Sequence, residues 1–210
     1  MLQSGTIPQS LRRICRDIQA ANINGKSGVV VGLISTLPHE GVSTIAIGLA
    51  RILAEASRVL LIDASAGRPI SDLIGVERHI LSADDLAQLQ LASFREWLVP
   101  CSSPNLDLLS IDADQIAASI WDKRWSELKL AIMQRYQVVL IDLGSLQTQL
   151  SPFWSTCLDQ TYVVVDMSST PAETLQGARK ELDILQMPVA GAILNRRSFA
   201  VPAFLSKGRS

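Results

Sequence analysis

The sequence predicts an α/β domain with a doubly wound, mostly parallel sheet flanked by helices. Apolar runs of strand length alternate with segments of helical periodicity along the chain, which is the pattern of a parallel sheet. Hydrophobic residues make up 48% of the sequence and charged residues 19%, which suits strands that are covered on both faces. A length of 210 residues favours one domain over two.

Net charge and cysteine content narrow the classes of function. The formal net charge is −1 at pH 7, so the composition gives no reason to expect nucleic-acid binding. Cys15, Cys101 and Cys157 are far apart and lack metal-ligand spacing, which favours free thiols in a reducing compartment. No apolar run reaches the roughly 18 residues of a membrane span, and the N-terminus lacks a signal-peptide core. We therefore expect a soluble cytoplasmic domain. If it works at a membrane, another component must hold it there.

The chain is expected to divide into three parts. Residues 1–27 hold a lead-in and an amphipathic helix at residues 9–21, where Leu11, Ile14 and Ile18 recur at helical spacing. The main domain covers residues 28–198, and a short basic tail covers residues 199–210.

Residues 28–54 form the stretch around which the main domain is organised. The apolar run at residues 29–34 predicts a strand, a short polar turn follows, and a helical pattern begins at Ser43. A strand, a tight loop and a helix in this order aim backbone N–H groups and a helix N-terminus at a phosphate. The turn resembles the phosphate-binding pattern G-x-x-x-x-G-K-[ST], with Gly41 in place but Val42 at the lysine position.

Strands and helices continue to alternate after this turn. Helices are predicted at residues 43–56, 71–74, 83–91, 121–135 and 171–186. Further strands are predicted at residues 58–63, 106–109, 138–142, 162–166 and 190–194. The predicted strands at residues 58–63 and 138–142 end in the aspartates Asp63 and Asp142. The carboxyl ends of parallel strands share one edge of the sheet, so both aspartates are expected beside the phosphate-type loop.

Four segments match, in order, the motifs of one known family. Residues 35–44 read S-T-L-P-H-E-G-V-S-T against S-x-x-P-G-E-G-K-S-T, and residues 60–69 read L-L-I-D-A-S-A-G-R-P against L-L-I-D-x-D-x-R-x-P. Residues 136–145 read Y-Q-V-V-L-I-D-L-G-S against Y-D-x-x-I-I-D-x-P-P, and residues 191–195 match a closing G-x-x-L-N. The chain thus resembles the cytoplasmic P-loop domain of bacterial tyrosine kinases of exopolysaccharide and capsule synthesis, in the MinD and ParA branch of P-loop NTPases.

The resemblance implies a site for ATP or ADP with Mg²⁺. The implied nucleotide contacts are Pro38, His39, Glu40, Gly41, Val42, Ser43, Thr44, Asn195 and Arg196. The implied metal ligands are Ser43, Asp63 and Asp142, and the two aspartates are also the catalytic candidates. The family's E-x-x-R-x-x-R, linked to ring assembly, matches only as Gln9, Arg12 and Cys15, which are the candidate oligomer contacts. By the same analogy, the partners are further copies of the chain and the cytoplasmic end of a membrane polysaccharide co-polymerase that regulates chain length.

The match fails at the residues that carry phosphoryl transfer. Val42 replaces the lysine that contacts the β- and γ-phosphates, and Ser65 replaces a carboxylate near the metal. Leu37 stands where a MinD-like loop has a second lysine. Losing one charge-assisted hydrogen bond costs roughly 1.5–3 kcal/mol, or about 10- to 150-fold in binding. We therefore expect ATP, ADP and Mg²⁺ to bind weakly or not at all, and Asp63 and Asp142 to be vestigial.

Each of these residues also has a purely structural explanation. Asp63 and Asp142 can cap backbone N–H groups at the strand ends. The hydroxyl of Ser43 or Thr44 can cap the helix that begins there. The corresponding structural roles are a solvated loop position for His39, an ordinary turn for Asn195 and a solvated helix face for Arg12. The side chain of His39 is tolerable if φ stays negative, and histidine enters the left-handed region more readily than most residues.

Three functions therefore stay open. The first is a catalytically impaired, kinase-like domain that acts as a regulatory or structural partner in polysaccharide export. The second is a working autokinase or ATPase in which Arg58, Arg68, Lys180 or an arginine of a neighbouring subunit reaches the phosphates. The third is a MinD- or ParA-like positioning ATPase. No tyrosine follows Tyr162, so either the chain does not phosphorylate itself or a tyrosine-bearing tail is not included.

Overall fold

The computed structural model describes residues 9–23, 28–112, 118–148 and 152–196, and eight strands of this part form one sheet. The strands are β1 (Val29–Ser35), β2 (Val59–Asp63), β3 (Ile80–Leu81), β4 (Val99–Pro100), β5 (Leu106–Ile111), β6 (Val138–Ser145), β7 (Gln160–Asp166) and β8 (Val189–Asn195). The helices are α1 (Gln9–Ile23), α2 (Val42–Leu53), α3 (Ile70–Ile74), α4 (Ala83–Gln88), α5 (Ala118–Met133), α6 (Phe153–Cys157) and α7 (Ala172–Ile184). The predicted lead-in at residues 1–8 and the predicted tail at residues 199–210 lie outside the described residues.

The strand order is β3-β5-β2-β6-β1-β7-β8, with β4 attached to β5. All pairs on this path are parallel, and β4 alone among the described strands runs antiparallel to its neighbour. The central strands β1, β2 and β6 share one register, so that Asp63 lies directly opposite Asp142. The predicted doubly wound, mostly parallel sheet is confirmed.

The apolar runs of the strands arise because the sheet is buried on both faces. In β6, Val139 and Ile141 belong to the apolar layer on one face, whereas Val138 and Leu140 belong to the layer on the other. All four side chains are fully buried. Burial of one aliphatic side chain of this size contributes about 1.5–3 kcal/mol, so two-sided burial of the central strands stabilises the sheet strongly.

Several short elements were not predicted from the sequence. The predicted helix at residues 83–91 ends at Gln88 and is followed by a 3₁₀ helix over Leu91–Trp97. The two-residue strands β3 and β4 and the five-residue helix α6 are too short to produce a periodic pattern. The longer strands and helices all lie at their predicted places, with ends that differ by a few residues.

Helix α1 packs on α2 and β1 rather than standing apart from the domain. The Cys15 side chain is 3% exposed, and its Sγ lies 3.9 Å from the Leu49 carbonyl oxygen of α2. Burial raises the pKa of the Cys15 thiol to about 11. The Cys15 side chain is thus enclosed within its own chain, and an oligomer contact at this position stays a prediction. Arg12 is exposed, and its Nη1 lies 3.6 Å from the Glu55 Oε2. The side chain of Gln9 is outside the described part of the chain.

None of the helices in the described ranges combines the length and apolar character needed to cross a lipid bilayer.

Candidate functional site

A cleft of about 390 Å³ opens at the carboxyl edge of the sheet. One wall is the loop between β1 and α2, which runs from Thr36 to Gly41, and the other is the loop that follows β2. The residues that line the cleft are Ser35, Pro38, His39, Glu40, Gly41, Val42, Ser43, Thr44, Ser65, Ala66, Gly67, Arg68, Leu73, Gly144, Ser145, Thr148 and Arg196. The structure thus brings residues 38–44 and Arg196 together, as the motifs predict.

The loop before α2, residues 36–41, is the phosphate loop that the motif predicts. Gly41 is the N-cap of α2 and has φ +93°, a conformation that favours glycine. A Cβ at Gly41 would lie 2.6 Å from the Asn195 Nδ2, so the close approach of Asn195 also requires glycine. Gly41 has no side chain to cap the first N–H groups of α2, and Ser43 and Thr44 lie within its first turn rather than at the N-cap. The helix therefore begins without a side-chain cap at the wall of the cleft.

His39 adopts a left-handed conformation with φ +66°. The sequence allowed either sign of φ at this position, because histidine adopts the left-handed region more readily than most residues. A left-handed conformation costs a residue with a Cβ roughly 1–2 kcal/mol, which explains why the family has glycine here. The His39 side chain is exposed at the mouth of the cleft.

Glu40 is buried, and both oxygens of its carboxylate accept hydrogen bonds from other groups of the protein. Its Oε2 accepts the N–H of Thr36 at 2.8 Å, the Thr36 hydroxyl at 2.8 Å and the N–H of Leu37 at 2.9 Å. Its Oε1 accepts the N–H of Asp166 at 3.2 Å and the hydroxyl of Thr170. Burial raises the pKa of this carboxyl, but the hydrogen bonds from Thr170, Leu37, Thr36 and Asp166 outweigh it and hold the pKa below its ordinary value. The side chain of Glu40 thus shapes the loop and is not available to a nucleotide.

Asn195 holds the same loop from the end of β8. Its Nδ2 donates to the Glu40 carbonyl oxygen at 2.8 Å, and its Oδ1 accepts the N–H of Arg196 at 2.9 Å. Arg196 has φ +50° and its Nη1 lies 2.7 Å from the Asp166 Oδ2. The polar atoms of Asn195 therefore support the turn. The role of Asn195 at an adenine ring stays a prediction.

Asp166 is a site residue that the sequence reasoning did not single out. It ends β7, accepts the N–H and hydroxyl of Ser168 through Oδ1, and orients Arg196 through Oδ2. The signal was present, because the predicted strand at residues 162–166 ends in an aspartate like those at Asp63 and Asp142.

Val42 occupies the lysine position with a side chain that is 6% exposed. It belongs to the apolar layer that also contains Ala46, Val164 and Ile193. The backbone of the phosphate loop is thus retained, while the side chain at its charged position is part of the hydrophobic core.

The carboxylate of Asp63 accepts hydrogen bonds from the loop that follows β2. Its Oδ1 accepts the Ser65 hydroxyl at 3.0 Å, and its Oδ2 accepts the N–H of Ile70, the first residue of α3, at 2.8 Å. Burial raises the pKa of Asp63, and these hydrogen bonds offset part of that rise. The arrangement corresponds to the structural role in which a strand-end aspartate caps backbone N–H groups.

Asp142 is fully buried, and only one of its two carboxylate oxygens accepts a hydrogen bond among the described residues. Its Oδ1 accepts the N–H of Gly144 at 2.9 Å, whereas its Oδ2 has no hydrogen-bond partner among the described residues. Burial raises the pKa of Asp142 to about 6, the Ser43 hydroxyl and the Gly144 N–H lower it, and the charge of Asp63 raises it further. Such a carboxyl is poised to accept either a proton or a cation.

The turn after β6 differs from that of the family. Gly144 has φ +72°, and Gly144 and Ser145 stand where the family has two prolines. Proline has φ near −65° and no N–H, so it could neither adopt this turn nor donate to Asp142. A Cβ at Gly144 would lie 3.3 Å from the Ser65 Cβ, so this turn packs tightly on the loop after β2.

The residues present fit Mg²⁺ only in part. Within the described ranges, no group of three or more His, Cys, Asp or Glu side chains could hold a metal ion. The orphaned Asp142 Oδ2 and the nearby Ser43 hydroxyl are oxygen donors of the kind that Mg²⁺ prefers. Mg²⁺ is commonly held by one or two carboxylates together with substrate phosphates. Ser43 and Asp142 would therefore hold an ion that arrives with a nucleotide, and the ion would neutralise phosphate charge there.

No family model and no curated protein sequence matches the chain. Among solved structures, the kinase domain of the Escherichia coli tyrosine kinase ETK is similar, with 17% identity and a TM-score of 0.71 over 91% of this chain and 78% of that one. The VpsO kinase domain has 23% identity and a TM-score of 0.63 over 90% and 98% of the two chains. The MinD cell division protein of Aquifex aeolicus has 21% identity and a TM-score of 0.67 over 81% and 70%. At these identities the likeness concerns the fold, and it confirms the expected P-loop fold of tyrosine kinase domains and MinD.

Proposed function

We propose that the chain is a kinase-like P-loop domain of exopolysaccharide or capsule synthesis and export whose catalytic chemistry is impaired. The observation that carries the proposal is the burial of Val42 at the lysine position, between a retained Gly41 and a retained Ser43. The shared fold with bacterial tyrosine kinase domains supports the kinase-like part of the proposal.

Phosphoryl transfer needs positive charge where negative charge builds up in the transition state. Val42 supplies none, and Ser65 stands where the family has a carboxylate near the metal. Removal of one stabilising donor from such a site costs about 10²–10³ in rate. Two independent losses at one site leave a phosphate-loop scaffold with little capacity for turnover.

The partner in this proposal is the cytoplasmic end of a membrane polysaccharide co-polymerase, with self-association as a second contact. This assignment follows from the family resemblance, because a fold alone does not specify partners. The exposed Arg12 of α1 remains available for contact between subunits. The domain would then lie at the inner face of the plasma membrane without a span in its described helices.

The experiment is a turnover assay on the purified full chain with Mg-ATP, which follows both phosphate release and incorporation of labelled phosphate into protein. We expect both signals to stay at the level of the Asp142→Ala variant. Wild-type turnover that Asp142→Ala abolishes would overturn the proposed impairment.

A working autokinase or ATPase with an unusual loop is the second candidate, and one observation favours it. Arg68 lines the cleft, so a guanidinium group is present near the phosphate loop. By contrast, Arg58 immediately precedes β2 at the opposite edge of the sheet and Lys180 lies on α7, and neither lines the cleft. The same turnover assay separates this candidate from the first.

A further inference from the structure

Three basic side chains line the cleft, namely those of His39, Arg68 and Arg196. Arg196 forms an ion pair with Asp166, in which its Nη1 lies 2.7 Å from the Asp166 Oδ2. Arg68 is exposed, and no hydrogen bond or ion pair joins it to any residue in the described part of the chain. The carboxylate that belongs to the cleft lining, Glu40, is turned into the protein and fully bound. Arg68 therefore brings to the cleft a positive charge that has no ion-pair partner among the described residues, although the loop has lost its lysine.

The position of Arg68 is set by the loop that carries it. Asp63 accepts the Ser65 hydroxyl at the start of this loop and the Ile70 N–H at its end. Pro69 has φ −57° and forms the N-cap of α3, so the residue after Arg68 is also fixed. Arg68 thus projects from a loop that is anchored at both ends by one buried carboxylate.

The opposite wall of the cleft offers backbone donors. Helix α2 is 12 residues long, and its first turn begins there at Val42 without a side-chain cap. An uncapped helix N-terminus favours an anion through its free N–H groups and its dipole. A guanidinium group binds phosphate through two parallel hydrogen bonds, whereas an ammonium group acts as a point charge. An anion between α2 and Arg68 would meet donors from two sides.

We propose that Arg68 supplies the phosphate-binding charge in place of the missing lysine, so that the cleft holds the phosphates of a nucleoside diphosphate without turning it over. This inference rests on the proposed function, because it assigns a ligand to the impaired site. Arg68 reaches the phosphates from the loop after β2 rather than from the base of α2. It therefore strengthens binding of the ground state but lacks the placement of a P-loop lysine on the group that is transferred.

The test is calorimetric titration of ADP into the full chain, for the wild type and for Arg68→Gln, Arg68→Lys and Arg58→Gln. Arg58→Gln is the matched control, because Arg58 is also exposed but precedes β2 at the other edge of the sheet. We expect Arg68→Gln to weaken ADP binding at least tenfold, or about 1.4 kcal/mol, while Arg58→Gln changes it less than about twofold. Arg68→Lys should fall between them, because it keeps the charge but loses the paired hydrogen bonds. Thermal melts of all four proteins check that each is folded.

Two results would overturn the inference. One is equal ADP affinity in Arg68→Gln and Arg58→Gln, and the other is no detectable ADP binding by the wild type. Neither result touches the proposed function, which fails only if Mg-ATP is turned over. If turnover occurs and depends on Arg68, the proposed impairment falls while the phosphate contact of Arg68 stands.

Discussion

The Oε1 atom of Glu40 accepts the backbone N–H of Asp166 at 3.2 Å, which ties the phosphate loop to the end of β7. The Oε2 atom of the same carboxylate binds the N–H groups of Thr36 and Leu37 at the start of the loop. One carboxylate thus joins the start of the loop to the end of β7.

Replacement of Glu40 by glutamine should destabilise the domain. The amide keeps one acceptor but places an NH₂ group among donors, so at least two hydrogen bonds to a buried charge are lost. We expect a loss of about 3 kcal/mol in the free energy of unfolding, measured by urea denaturation at pH 7. Glu173→Gln, at an exposed site in the first turn of α7, is the matched control and should change it by less than about 0.5 kcal/mol. Equal losses in the two variants would show that the Glu40 network is not stabilising.

Asp142 should make the domain less stable as the pH rises through the weakly acidic range. Its pKa is raised to about 6 in the folded protein, from a reference value of 3.8. Its carboxyl therefore costs no stability below pH 3.8, and the cost grows as the pH rises towards 6. Asp142→Asn removes this cost, so the variant should exceed the wild type by up to about 3 kcal/mol at pH 7 and match it near pH 4. Denaturant unfolding at both pH values provides the measurement. A variant that is less stable than the wild type at pH 7 would contradict the assignment.

Gly144 and Gly177 should respond in opposite directions to substitution by alanine. Gly144 has φ +72° and a tight contact with Ser65, so Gly144→Ala should cost about 1–2 kcal/mol. Gly177 lies inside α7 with no atom within 4 Å of its added Cβ, so Gly177→Ala should gain about 0.5–1 kcal/mol. Thermal melts of the two variants should show a lower Tm for Gly144→Ala and a higher Tm for Gly177→Ala than for the wild type. A neutral Gly144→Ala would mean that the turn after β6 can adopt another backbone conformation.

The fold was predictable because its signals are local. The apolar runs of β1, β2 and β6 arise from two-sided burial, and each can be read from a few consecutive residues. The phosphate loop was predicted from the strand, turn and helix pattern of residues 28–54 together with the places of Gly41 and Ser43.

The roles of the side chains at the site were harder to predict, because they depend on distant parts of the chain. Glu40 fits the loop motif, but its partners are Asp166 at the end of β7 and Thr170 in the segment that follows β7. Asn195 likewise reaches the loop from β8. The motif therefore identifies which residues gather at the cleft but not which of them face inward.

The central claim is that Val42 has removed the charge on which a P-loop site depends. Val42→Lys restores the ammonium group, and Val42→Met is the uncharged control with a long unbranched side chain. Both variants disturb the apolar layer that contains Val42, so thermal melts must show that each is folded.

Calorimetric titration of Mg-ATP and of ADP into the wild type and these two variants tests the claim most directly. The account predicts weak binding by the wild type, a gain of about 10- to 150-fold for Val42→Lys, and no gain for Val42→Met. Tight binding of Mg-ATP by the wild type, left unchanged by Val42→Lys, would contradict it.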